Sequence, residues 1–246
     1  MANTNQRDFS NFKVEYGDPA EVQVRVGGQS ITDQHPFQGE TFGTITSAEC
    51  REVPEGFDAD LVGKAAIDVT FSCNEEGAQG KRVTKMFIME GNYKTQKGEM
   101  KPNIDAFRQL VASIASANPE VDSKEKLEAA ARALYASVTR SQQTLPALAK
   151  WLVGKTAYYT IKDKEITPKR GGSGRTFSSS AFEYISNRLT YDGRKKDGRH
   201  HRANEGFVAA LAAGQTKESL ADSMGGGSGG PAEGVADFSK LLGHTG

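Results

Sequence analysis

The sequence predicts a mainly β domain interrupted once by a block of helices. Three observations carry this: short runs alternate apolar with polar residues, the apolar spacing becomes helical between residues 103 and 153, and it then returns to two. The expected order is three strands, helices, then two more strands.

Residues 1–20 are polar and unpatterned, so a loose N-terminal arm is expected there. In Glu21–Val26, Val22, Val24 and Val26 alternate with polar residues, the pattern of a half-buried strand ended by Gly27 and Gly28. Phe42–Cys50 is expected as the first long strand on its Thr and Ile content. Pro54 and Gly56 break the chain, leaving Phe57 at the tip of an acidic loop. Ala65–Cys73 is the clearest strand, with Ile67, Val69, Phe71 and Cys73 on one face and Asp68, Thr70 and Ser72 on the other. A polar, glycine-bearing turn follows, and Arg82–Met89 returns antiparallel.

The period then changes. Asn103 can cap a helix in which Ile104, Phe107, Leu110, Val111 and Ile114 recur, ending at Asn118-Pro119. Ser123 caps a second, with Leu127, Ala130, Leu134 and Val138 as its apolar stripe. A third runs from Pro146 to Val153, with proline just inside its start and Gly154 as its stop. Ala157, Tyr159 and Ile161 then alternate with polar neighbours, and Arg175–Tyr184 reads as the last strand.

A five-stranded Greek-key barrel of the OB type carries a helix between its third and fourth strands, and binds oligonucleotides on strands two and three and on two of its loops. Residues 21–202 are assigned to such an α+β domain, with the helical insert at 103–153. The loop between its last two strands is then Asp163–Gly174, which is basic and glycine-rich.

Charge is placed along the chain although the total is +0. Residues 1–80 carry 5 basic and 14 acidic groups, residues 81–154 carry 12 and 7, residues 155–202 carry 12 and 5, and residues 203–246 carry 2 and 5. An acidic N-terminal third with a basic second half can build a cationic track for a polyanion. Lys81, Arg82, Lys85, Lys94, Lys97, Lys162, Lys164, Lys169, Arg170 and Arg175 are the expected phosphate contacts. Tyr93, Tyr158, Phe177 and Tyr184 are the expected stacking platforms, because an unpaired strand offers both phosphates and π-faces. Tyr159 alternates with Ala157 and Ile161, which suits a core position. Arg194, Lys195, Lys196 and Arg199, with glycines on either side, are expected as a mobile basic arm.

Beyond residue 202 a short helical segment is expected in 203–224, over Glu205–Ala213. Residues 225–234 have the composition of a flexible linker, and Val235, Phe238, Leu241 and Leu242 follow at near-helical intervals. An apolar peptide on so slack a tether suits the docking of a partner.

Other chemistry finds little footing. Gly154-Lys155-Thr156 resembles the end of a phosphate-binding loop, but Ala149 stands where its first glycine belongs and the context runs from helix to strand. His200 and His201 lack metal-ligand spacing, and no serine elbow occurs, so neither an enzyme nor a cofactor is expected. Cys50 and Cys73 read as small buried hydrophobes rather than a disulfide. No run of about 18 apolar residues and no secretory leader pattern is present, which sets the expectation of a cytoplasmic protein without a membrane segment.

The barrel order, the basic fourth-to-fifth loop and the tethered C-terminal peptide together resemble the single-stranded DNA-binding proteins of bacteriophage and bacteria, over roughly residues 40–246. The resemblance implies sequence-tolerant binding of single-stranded DNA in replication, recombination or repair, and recruitment of replication or recombination proteins by the tail. It leaves a homo-oligomer open. The tail departs from the family pattern, since ADFSKLLGHTG is not acidic. Two other classes remain open: a phage structural or scaffold protein, and an adaptor that docks on a replication enzyme through its tail.

Overall fold

Alternating residues drive the chain into antiparallel strands that curl on themselves, because only one face of each strand can be buried. The computed structural model describes residues 7–27, 37–75, 82–95, 98–166, 177–196 and 201–203, with the backbone alone at 37–38, 162–166, 177–180 and 201–203. Its long strands are β1 (Phe37–Glu52), β2 (Ala65–Cys73) and β3 (Arg82–Ile88). A small hairpin of β4 (Asn92–Lys94) and β5 (Met100–Pro102) precedes α1 (Ile104–Ser116), α2 (Lys124–Ser141) and α3 (Leu145–Leu152). The chain then forms β6 (Thr156–Ile166), β7 (Phe177–Ser186), α4 (Arg188–Lys196) and β8 (His201–Ala203).

The strand order is β3-β2-β1-β6-β7, every pairing antiparallel, with β8 added to the start of β1. Strands β3 and β7 are the two edges and meet through side chains without a hydrogen-bonded ladder, so the barrel is nearly closed. This is an OB-like α+β fold with its helices between the third and fourth barrel strands. Its interior is filled by Ile45, Ile67, Val69, Phe71, Val83, Phe87, Ala157, Tyr159 and Ile161, all buried. Each large side chain among them contributes about 1.5–3 kcal/mol by leaving water.

Closure depends on the length of β1, which pairs with β2 over residues 43–52 and with β6 over residues 38–44. One strand can serve both neighbours only if it bends. A bulge between Ile45 and Ser47 supplies part of the bend. Gly43 supplies room, since a Cβ there would collide with the Ser72 carbonyl and the Tyr159 hydroxyl.

The helices seal one end of the barrel. Ile104, Phe107, Leu110 and Val111 are buried on one side of α1, which packs against β3, β6 and β7. Asn103 does not cap α1 with its side chain; its amide instead donates to the Glu90 carbonyl at 2.8 Å, tying the helix to the end of β3. Ser123 does cap α2, accepting from the Lys126 N–H at 3.2 Å. Gly154, at φ +82, turns the chain from α3 into β6.

Two expectations about the N-terminus are overturned. Residues 7–20 are no loose arm: Phe9, Val14 and Tyr16 are buried in the main core, and the Val14 N–H donates to the Gln143 carbonyl at 3.1 Å. Residues 21–26 alternate in burial only as far as Val24, with Val22 and Val24 inside and Val26 exposed, and form no strand. Side chains replace the ladder. Gln109 donates to the Gln23 carbonyl at 2.7 Å and Asn187 to the Arg25 carbonyl at 2.6 Å, so these two carbonyls find partners without a neighbouring strand. Of the expected basic arm, Arg194, Lys195 and Lys196 lie in α4 and Arg202 in β8, while Arg199 lies outside the described residues. The segments 1–6 and 204–246, including the helical patch, the linker and the apolar peptide, lie outside the described residues.

Candidate nucleic-acid interface

Strand parity and position divide the expected contacts among five places. Arg82 stands exposed on the outer face of β3, opposite Ser72 of β2. Around it are small polar groups: Thr70 and Thr84 share a hydrogen bond of 3.0 Å, and Arg51 pairs with Asp68 at 2.7 Å. This face of β2 and β3 is open but bears no aromatic ring. Its acids and bases nearly cancel.

Lys85 has the opposite parity and points to the barrel seam, with its ammonium 5.8 Å from the centre of the Phe182 ring. Burial holds its pKa below the usual lysine value. Tyr93 and Lys94 are exposed on the separate β4–β5 hairpin, the tyrosine at 39%. Lys162 and Lys164 lie on β6 and Phe177 begins β7, in a ribbon whose residues 163–166 and 177–180 pair only with each other among the described residues. Lys81, Lys97, Lys169, Arg170, Arg175 and Arg199 lie outside the described residues, as do Val235, Phe238, Leu241 and Leu242.

The fifth place is the outer face of β1, β6 and β7, and it is covered. Glu40, Thr160 and Tyr184 form one row across the three strands. Arg194 of α4 reaches down to the row, its Nη1 2.6 Å from Glu40 Oε1 and 3.1 Å from the Tyr184 hydroxyl, which itself donates to Glu40 at 3.2 Å. The Glu40 side chain is wholly buried and that of Arg194 is 15% exposed. One turn earlier, Tyr191 packs on Phe42 and Tyr158, with ring centres 5.7 and 5.5 Å apart, and donates to the buried Glu75. Lys195 stands 4.0 Å from Glu75 and 5.4 Å from the Tyr191 ring.

Arg194 is therefore a structural cation in a helix, a correction to its expected place on a mobile arm. Lys195 and Lys196 stay exposed on the same helix. Tyr158 and Tyr184 are half-buried with their phenols' pKa raised by desolvation, Tyr158 packed against Phe42 and Tyr191 and the Tyr184 hydroxyl bonded to Glu40. Glu40, Phe42 and Tyr191 were not among the expected site residues. Glu40 was legible only if β1 began before Phe42, where the alternation carries no apolar signal.

No group of His, Cys, Asp and Glu among the described residues gathers to hold a metal ion, and no described helix is long and apolar enough to cross a membrane. Neither a family model nor a curated protein matches the chain.

Proposed function

We propose that the chain is a sequence-tolerant single-stranded DNA-binding protein acting in DNA replication, recombination or repair. One observation carries the reading: a nearly closed OB-like barrel extends its β6–β7 ribbon beyond the pairing with β1, and that ribbon carries Lys162, Lys164 and Phe177 toward the basic loop at 167–176. Lys85 on β3 and Phe182 on β7 lie together, and Phe87 and Ile185 share one cavity, so the two strands run side by side in the same direction. Arg82 thus stands at the end of the barrel from which the ribbon leaves. A strand crossing from the β2–β3 face to the ribbon would meet Arg82, Lys162 and Lys164 in turn, with Tyr93 and Lys94 on the neighbouring hairpin. Binding of this kind is driven by phosphate neutralisation and by stacking, with a salt slope of about −0.7 per phosphate on single strands. The C-terminal peptide at 235–242 would recruit replication or recombination proteins.

Fluorescence anisotropy of a labelled oligo-dT, against a duplex of equal length at two salt concentrations, tests this. Tight, salt-sensitive binding that prefers the single strand is expected. Equal binding to both reduces the function to a general polyanion surface, and no binding at low salt removes it.

A further inference from the structure

The seam between β3 and β7 encloses a cavity of about 280 Å³, close to the small end of the range of about 300–1,000 Å³ typical of ligand pockets. Strand edges, α1 and the extended segment near Val24 form its walls. Its charged lining is Lys85, Arg25 and Glu183, one positive charge in excess.

Two features of this cavity bear on what it could hold. The Lys85 ammonium is partly buried and meets no carboxylate among the described residues, having only the Phe182 ring beside it. Phe182 is the outermost ring of a stack that continues inward to Tyr159, at 5.8 Å and 17°, and to Phe71, at 5.6 Å and 30°. A cation that meets no carboxylate among the described residues and an aromatic stack that ends at a cavity make one combined demand. The missing group is flat and aromatic and carries a negative charge a few ångströms away.

A nucleotide has both properties. We infer that the seam cavity is a nucleotide subsite, in which one base of the bound strand leaves its neighbours, stacks on Phe182 and sets its phosphate on Lys85. This rests on the single-stranded DNA reading and sharpens it. The subsite lies inside the seam, on the opposite side of β3 from Arg82. Lys85 exchanges a weak cation–π contact for a phosphate, which is the stronger partner for a desolvated ammonium.

The test uses the full chain, oligo-dT bearing a single photoreactive 5-iododeoxyuridine, and the variants Lys85→Met and Phe182→Leu. Cross-linking of the unsubstituted protein to the peptide containing residues 182–186 is expected. Lys85→Met should lower oligo-dT affinity about tenfold, the loss of one charge-assisted contact, and shrink the salt slope by about 0.7. It should also raise the melting temperature, because methionine fills the site without a desolvated charge. Phe182→Leu should lose the cross-link while Arg82 contacts persist.

Binding of oligo-dT with cross-links mapping only elsewhere overturns the subsite and leaves the DNA-binding function standing. A lower melting temperature for Lys85→Met marks the lysine as structural and overturns it too. If the unsubstituted protein does not bind oligo-dT, the proposed function fails and the subsite with it.

Discussion

The two outer faces of the barrel use the same strand geometry to opposite ends. On β2 and β3 the outward residues include Thr70, Ser72, Arg82 and Thr84, which reach solvent; on β1, β6 and β7 they are Glu40, Phe42, Tyr158 and Tyr184, and α4 is clamped over them. The difference lies in what each face must hide. Threonines can remain in water without cost, whereas a sheet face with a carboxylate and several rings needs a lid that brings both apolar contact and a matching cation. Helix α4 brings Tyr191 for the rings and Arg194 for Glu40. Cations that stand beside aromatics in the sequence are here spent partly on the protein itself.

The sharpest break of this contrast is Arg194→Ala, which strands the Glu40 carboxylate in the interior. It should cost about 3–5 kcal/mol, read as a shift in the denaturant midpoint, while Glu40→Leu combined with Arg194→Met should recover most of that loss. An unchanged midpoint for the single variant would mean that α4 does not clamp this face.

Tyr191→Phe comes next. It keeps the ring against Phe42 and Tyr158 but leaves Glu75 without that donor, for an expected loss of about 1–3 kcal/mol.

Buried phenols, inside the barrel and under α4 alike, make the fold alkali-sensitive. Burial raises the phenol pKa of Tyr191 and of Tyr159 well above the ordinary 10.0, so the folded chain holds protons there that the unfolded chain releases. Stability from these groups is fully present below pH 10 and is lost as the pH climbs through their folded-state values. Phenolate absorbance should therefore rise in two stages, exposed tyrosines first and the buried ones together with unfolding. A single smooth titration would contradict their burial.

The smallest effect belongs to the open face. Replacing Thr84 by Val removes the hydroxyl contact with Thr70, yet both are solvent-facing, and the melting temperature should stay within the equivalent of about 0.5 kcal/mol. A larger loss would show that this face is covered by something in solution.

Local pattern carried far into this fold. Ala65–Cys73 matches its strand at both ends, the helical insert falls where the spacing changes, and Gly154 and Ser123 act as the stop and cap their types suggest. Those features depend on neighbours within a few residues, which alternation and capping chemistry report directly. The candidate site was legible only in part. Basic and aromatic residues could be counted, but counting cannot say whether Tyr158 meets solvent or Tyr191, nor that Arg194 has a buried acid 154 positions away at Glu40.

By itself, then, the sequence determined the strands, the helical insert, their order and hence the barrel, because each element buries a periodic face that its own residues define. Only the tertiary structure decided how the charges are used. It bound Arg194 to Glu40, turned Lys85 into the seam beside Phe182, and laid residues 7–27 on the helices with side-chain amides in place of a ladder. Those outcomes depend on register, on a bulge between Thr160 and Ile161, and on which edge meets which. A one-residue shift in pairing would send each of these side chains to the other face.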